Sequence, residues 1–507
     1  MVLLGALLAR SPIYTRGSLM DSQSNSGDLR TFIADLEAIG QLRRINGADW
    51  NLEVGAITEV VSDSEGPALL FDEIKSYPKG FRILTNGFRT HDRFGVALGF
   101  GPGIHGLELL QKWRDRLKDM KPLAPLVVAS GPIFENSIVG DDIDVLTFPA
   151  PKWHDEDGGR YIGTGCCVVT TDPEAQTTNL GTYRCMVQGR DQISIKMNKG
   201  KHGRMAMEKY HAQGKPCPVA VVLGTEPLVF LSSVLSLSPH QEEYHIAGAL
   251  RREPLEVVKT PIYGLPVPAR AEIVLEGEIP PFTPGSLPKE GPFGEWPGYY
   301  ADTTTGEVPL MHIKAIYYRN NPVLLGMPPM KPPNHYLSLP LGCASLWEQL
   351  DAAGVPGVTG VWSFVYGGVV GPFVVISIKQ AYQGHSRQTL AAAVGTRAGA
   401  YGGKFVVVVD EDVDVTNIHD VIWAMSTRCD PSDMVDIIRG VWTSPADPAI
   451  PPSRRNMAPG QTTLRHGYTM DRVLIDACRP YSWIDEFPRV NCFPQQFKDE
   501  IARKWSL

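Results

Sequence analysis

Two glutamates, Glu290 and Glu295, stand five positions apart in "KEGPFGEWPGY", residues 289 to 299. Pro292 forbids a regular helix, and the glycines and second proline weaken any strand, so a shaped loop is expected. On a bent loop the two carboxylates can face one space. Two buried carboxylates close together cannot both ionise cheaply, so one of them becomes able to deliver a proton near neutral pH. An arginine nearby would hold the other ionised. Taken alone, glutamates on a loop are more often simply solvated.

A second group lies in "TTNLGTYRCMVQGRDQISIKMNKGKHGRM", residues 177 to 205, where Asn179, Arg184 and His202 are the polar residues of interest. An amide oxygen and an imidazole suit a divalent cation, and Glu243 in "HQEEYHIAGAL" could complete the set. The wide spacing is not itself a metal signature, and a lone histidine is more often structural. "GKHGR" could contact a phosphate or be a solvated basic loop. "GFGPGIHG" (99 to 106) lacks the strand–helix context of a dinucleotide fingerprint, and "DEDVDV" (410 to 415) lacks the glycine and terminal glutamate of a calcium loop.

These residues need a scaffold. The chain has 507 residues, 43% apolar and 20% charged, which suggests two to four globular domains. Its net charge of −7 argues against a nucleic-acid surface as the main function. Eight dispersed cysteines without a CxxC read as reduced, buried thiols of a cytoplasmic protein. Residues 1 to 20 are apolar with two arginines and no acid. They read as an organelle-targeting peptide or, preferably, as sequence upstream of a true start at Met20. The uncharged run 361 to 378 is broken by glycines and Pro372 and reads as two buried strands with a turn, not a membrane span.

"DLRTFIADLEAIGQLRRI" has helical spacing with Asp28 as N-cap, and "ALLFDEI" and "FRILTN" read as strands. From 125 to 320 short β-rich runs follow one another: "LVVAS", "TGCCVVTT", "QISIKM", "VAVVLG", "AEIVLEGEI" and "HIKAIYYRNNPVLLGM", the last predicting a hairpin about Asn320-Asn321. Beyond 340, helices ("LWEQLDAAG", "RQTLAAAVGTRAGA", "DVIWAMSTR") alternate with strands ("KFVVVVDEDVDV") as in an α/β layer, and the Pro- and Arg-rich 444 to 461 reads as a linker or arm.

Taken together, "DGGRYIGTG", "TTNLGTYR", "GKH", "AEIVLEGEI", "EGPFGEWPGY" and "WAMSTR" resemble the UbiD-like decarboxylases that use prenylated FMN, over nearly the whole chain from about residue 28. The resemblance implies an α/β (α+β) fold in five parts. These are an N-terminal tail (1–27), an α/β domain (28–124), a flavin-reductase-like split β-barrel (125–320), an oligomerising α/β domain (321–470) and a tail on a partner subunit (471–507). It implies Arg184, Glu290 and Glu295 as the catalytic set. Manganese or magnesium would sit on Asn179, His202 and Glu243, bridging to the flavin phosphate. Potassium would sit near Ser232, Ser233, Leu235 and Arg428. Cofactor contacts would come from Thr164, Gly181, Thr182, Tyr183 and Lys201, with either Arg397 or Lys404 on the phosphate. Lys201 stands where the family often has glutamine, and Leu180 where some members have tryptophan.

The implied reaction is reversible, non-oxidative decarboxylation of an aromatic, heteroaromatic or α,β-unsaturated acid. It would proceed through a covalent adduct with the flavin and protonation by Glu295. A flavin prenyltransferase would supply the cofactor, and a homodimer or homohexamer is implied. Lys331, His335, Tyr336 and Ser338 are candidate substrate contacts. The alternatives are a two-carboxylate hydrolase, active without flavin; an FMN reductase, oxidising NAD(P)H; and a non-catalytic flavin-binding or assembly protein, indifferent to loss of Glu295.

Overall fold

The computed structural model describes residues 27–506 except 199, 236–240, 284, 301–305, 333–336, 365–369, 445 and 452–467. Its centre is a nine-stranded sheet whose path runs Tyr161–Gly163, Cys185–Gly189, Gln192–Ile195, Leu310–Tyr318, Ile273–Ile279, Cys217–Leu223, Cys166–Thr171 and Thr178–Gly181, with Asn136–Val139 also on Leu310–Tyr318. The end strands do not pair with each other, so the expected barrel is an open sheet rather than a closed one.

Alternation explains why these strands are apolar throughout. Cys167, Val169, Ala220, Val222 and Val274 point into one core, while Cys166, Val168, Val219, Val221, Ile273 and Leu275 point into a second. Successive side chains leave a strand on opposite faces, so a sheet covered on both sides must be apolar at every position. That places the adjacent cysteines of "TGCCVVTT" in different cores. All eight thiols are free.

The N-terminal helix Leu29–Ala38 starts at Asp28, whose carboxylate accepts from Thr31 N–H. Arg30 grips the buried Glu272 of the central sheet with two hydrogen bonds (2.8 and 2.9 Å), and Arg319 bridges Asp28 and Glu272, tying helix to sheet.

The predicted hairpin about Asn320-Asn321 is corrected. Leu310–Tyr318 belongs to the central sheet, whereas Val323–Leu325 pairs in parallel with Arg82–Thr85 in the N-terminal sheet. A two-residue type I′ hairpin needs positive φ at both central residues, and here Asn321 (+53°) has it while Asn320 does not. Arg30 and Arg82 donate to the two carbonyls of this corner, so the chain crosses from one sheet to another. The boundary drawn at 320/321 therefore moves past Leu325.

The C-terminal domain carries a five-stranded sheet, ordered Val358–Ser363, Phe373–Ile378, Phe405–Asp410, Thr469–Ala477 and Val435–Trp442. The first two strands are the antiparallel pair expected within 361–379; residues 365–369 of the connection between them lie outside the described residues. Thr469–Ala477 sits inside this sheet, so the boundary at 470 moves as well, to the residues after Ala477. "RQTLAAAVGTRAGA" forms two helices, His385–Gly395 and Arg397–Tyr401, broken at Thr396. Among the described residues no helix is long and apolar enough to cross a membrane.

Candidate functional site

The Glu290–Glu295 segment is a loop. Lys289–Glu290 pairs briefly with Gly306–Glu307, Gly291 takes φ +99°, and Glu295 closes a turn by donating its N–H to Tyr299 O. A Cβ on Gly158, in "DGGRYIGTG", would lie 2.0 Å from Gly291 O, and Gly158 N–H donates to Pro292 O at 2.8 Å. The glycine of one motif thus exists to admit the backbone of the other.

Both carboxylates meet Arg184, at the exit of the Thr178–Gly181 strand. Arg184 Nε and Nη2 donate to the two oxygens of Glu290 (2.7 and 2.9 Å), and Nη1 donates to Glu295 Oε1 at 2.7 Å. Such forked pairing is the strong geometry for a guanidinium and a carboxylate. Burial works against the charge on Arg184, but Glu290 and then Glu295 more than offset it and push its pKa above the usual arginine value. The side chain of Glu290 is 1% exposed and that of Glu295 29%, so the two acids are not equivalent. Phe293 lies 5.2 Å under the guanidinium.

Arg184 and Glu295 line a cleft of about 230 Å³ with Thr164, Thr182, Tyr183, Lys196, Asn198 and Lys201 on its polar side. Phe230, Val234, Phe293, Trp296, Met327 and Pro329 form the apolar side. Thr164 Oγ1 accepts from Met327 N–H, joining the central sheet to the segment after Leu325. A Cβ on Gly181 would fall 2.5 Å from the Tyr183 ring, so only glycine lets that ring fold back.

The helices that begin at His202 and at Glu243 both pack against the Thr178–Gly181 strand that carries Asn179. Glu243 Oε2 accepts from the N–H of Leu180, next to Asn179. A Cβ on Gly203, next to His202, would lie 3.3 Å from Asn179 Nδ2. The buried Asn179 amide lies beside the Tyr183 hydroxyl, on which it acts by hydrogen bonding against the larger effect of burial. Burial raises Glu243 to about 7, against the pull of the Leu180 N–H. A buried carboxylate in that condition favours a cation beside it. His202 is lowered by burial and then by the charges of Lys201 and Arg397, which favours the neutral imidazole that a metal needs. No three His, Cys, Asp or Glu side chains converge among the described residues, so an ion here would depend on the Asn179 amide oxygen. By chemistry, an asparagine amide oxygen, a neutral imidazole and a carboxylate are donors that suit manganese or magnesium.

Of the two basic candidates for a phosphate, Lys404 is spent on Asp447 at 2.8 Å, whereas Arg397 acts electrostatically on His202. Ser232 and Ser233 donate back into their own helix, Pro227–Val234, to Leu228 O and Phe230 O, and Ser233 Oγ meets Thr182 Oγ1 at 2.6 Å. Leu235 N–H donates to Ser232 O. The guanidinium of Arg428 is held by Asp410 and Asp412 at the C-terminal sheet (2.8 Å each). Lys331 is exposed, and Ser338 is buried with its N–H on Phe88 O; neither lines the cleft, which takes Met327 and Pro329 from the same segment. His335 and Tyr336 lie outside the described residues.

Sequence reasoning missed Tyr161, whose hydroxyl donates to Glu290 Oε1 at 2.9 Å, and the aromatic wall of Phe230, Phe293 and Trp296. Tyr161 stands inside a quoted motif, but only the fold reveals where its hydroxyl ends.

Comparison with known proteins gives the family of the chain. Three family profiles of 3-octaprenyl-4-hydroxybenzoate carboxy-lyase match in order: the N-terminal domain at residues 33–117, the Rift-related domain at 126–332 and the C-terminal domain at 335–477. Pyrrole-2-carboxylic acid decarboxylase of Pseudomonas aeruginosa is 32% identical over 421 residues, 80% of this chain and 83% of that one. Phenolic acid decarboxylase of Bacillus subtilis is 32% identical over 84% of this chain and 90% of its own. Among solved structures, vanillic acid decarboxylase of Sedimentibacter hydroxybenzoicus superposes with TM-score 0.81 at 28% identity, covering 95% of this chain and 99% of that one. A UbiD-class enzyme of Pelotomaculum thermopropionicum in complex with FMN gives 0.78 at 28% identity, covering 93% and 98%. The chain belongs to the UbiD family of carboxy-lyases, and is a decarboxylase of that class.

Proposed function

We propose that this decarboxylase acts reversibly on an aromatic, heteroaromatic or α,β-unsaturated carboxylic acid, with prenylated FMN as cofactor. The observation that carries the reading is Arg184 held between a buried Glu290 and a half-exposed Glu295 on the wall of a cleft. Prenylated FMN, when bound, supplies the electron sink that no side chain offers once CO2 leaves.

The protein's part is positioning and proton delivery. Glu290, gripped on both oxygens, holds Arg184 in place. Arg184 orients the substrate carboxylate. Glu295, tied to Arg184 by one oxygen and reaching the cleft, hands a proton to the carbon that has lost CO2. Phe293, Trp296, Met327 and Pro329 exclude water and offer apolar faces to a planar acid. The neighbouring relatives act on pyrrole and phenolic acids, which supports an aryl or heteroaryl ring. Asn179, His202 and Glu243 would hold manganese or magnesium, Arg397 and Lys201 would face the flavin phosphate, and potassium would use backbone oxygens at Ser232, Ser233 and Leu235. A flavin prenyltransferase would supply the cofactor in the cytoplasm, and the working form would be a homodimer or homohexamer.

The test is co-expression with a flavin prenyltransferase, native mass spectrometry for bound cofactor, and a panel of aromatic, heteroaromatic and acrylic acids assayed for CO2 release. Decarboxylation should require the modified flavin. Full activity in flavin-free protein, NAD(P)H oxidation without CO2 release, or flavin binding with no turnover of any acid would each replace this reading.

A further inference from the structure

Tyr161 opens the Tyr161–Gly163 strand and is fully buried. Its ring lies against Phe293 with centroids 4.0 Å apart, which aims its hydroxyl at Glu290 Oε1. That oxygen also accepts from Arg184 Nε, and Oε2 accepts from Arg184 Nη2. Three donors thus fix the plane of one carboxylate. Two of them belong to Arg184, the residue that must also serve a substrate. The third stands on a separate strand. Gly158 N–H, three residues before Tyr161, pins the same loop at Pro292 O.

We propose that Tyr161 is a positioning residue: its hydroxyl anchors Glu290 independently of Arg184, so that Glu290 keeps Arg184 aimed while Arg184 exchanges partners in the cleft. The link to rate rests on the decarboxylase reading above; the anchoring itself can be observed without turnover. A hydrogen bond to a buried charged acceptor is of the strong class, and losing one releases the group it held. Burial, and then the charge of Glu290, push the Tyr161 phenol above its ordinary value, so it remains a donor; Arg184 and Asp157 are the other charges acting on it.

The experiment compares crystal structures and kinetics of the full chain with those of Y161F, which keeps the ring against Phe293, and of chains carrying 3-fluoro- or 3,5-difluorotyrosine at 161, which strengthen the donor stepwise. In Y161F, Glu290 should leave its forked contact or populate a second rotamer, and kcat of the cofactor-loaded enzyme should fall about tenfold. In the fluorinated series kcat should vary in order of donor strength, a grading that a merely space-filling ring would not produce. A Glu290 that keeps one forked geometry in Y161F, or a kcat within about twofold of the parent, overturns the proposal. Should Y161F fail to fold, the fluorinated series decides alone: ungraded kcat overturns it. Should the loaded parent itself release no CO2, the function falls, while the geometry of Glu290 still decides the role of Tyr161.

Discussion

Arg184 and Arg428 each sit between two acids, and the contrast between them separates chemistry from architecture. Arg184 gives its fork to the buried Glu290 (1% exposed) and a single hydrogen bond to the half-exposed Glu295. Arg428 does the reverse. Its fork goes to the half-exposed Asp412 (33% exposed), and its single bond goes to Asp410, which is fully buried. Asp410 also accepts from Gln380 and twice from Arg479, so strand, helix and chain end are pinned at one carboxylate. At Arg184 the strong contact is hidden and the weaker one faces a cleft. At Arg428 the strong contact closes the accessible side. An acid can do work at the first cluster because it is not fully committed; at the second every acid is committed to holding the fold.

Glu295→Gln should break the first cluster's chemistry with the largest effect. It removes the transferable proton and keeps the shape, so decarboxylation and deuterium uptake from D2O at the α-position of the product should fall together by ~10²-fold or more. Its folding stability should change by less than about 1 kcal/mol, as for a part-exposed pair. Arg428→Ala should do the opposite. Leaving the buried Asp410 to Arg479 and Gln380 alone, and Asp412 without its fork, should cost about 2 kcal/mol in a urea titration, with the rate per folded molecule unchanged. A rate loss there, or a stability loss at Glu295, would erase the distinction.

His202→Ala sharpens it from another side. The residue stands at the first position of its helix and is not part of either ion cluster. Metal and flavin retention after purification should drop roughly tenfold with the melting temperature held; unchanged content would make it a structural histidine. A pH-dependent contrast comes from a further arginine, Arg251, which meets the buried Glu226 and the exposed Glu253. Burial, opposed by Arg251, raises Glu226 from 4.5 to about 8. In that window the folded chain holds a proton that the unfolded chain releases, so stability falls as pH rises. Urea midpoints between about pH 5 and about pH 8 should show this slope, and Glu226→Gln should flatten it.

The catalytic constellation was legible because its residues lie in short motifs of unusual composition, "TNLGTYR" and "EGPFGE". The strands were legible because alternation and continuous apolar runs are local signals. The Asn320-Asn321 corner was not, because a hairpin and a crossing between sheets share the same turn residues; the arginines that decide it, Arg30 and Arg82, lie over 200 positions away. The partners of Arg428, Asp410 and Asp412, lie in "DEDVDV", an acidic run that does not itself point to an arginine partner. Tyr161 carries no local signal of its role, since the direction of a hydroxyl is a tertiary fact.

The contact of Gly158 with Gly291 has a consequence for how such a site can diversify. A methyl group at Gly158 would have to displace the carbonyl of Gly291 and, with it, the loop that carries Glu290 and Glu295. The two turns are therefore interlocked parts that must be exchanged as a pair, and a loop graft that brings one without the other should misplace both acids. New substrates are reached more cheaply through Trp296, Met327 and Pro329, whose side chains line the cleft without bearing on that joint. Libraries aimed at those three positions, with 158 and 291 left as glycine, would explore ring size and substitution while the acid–arginine frame stays in register.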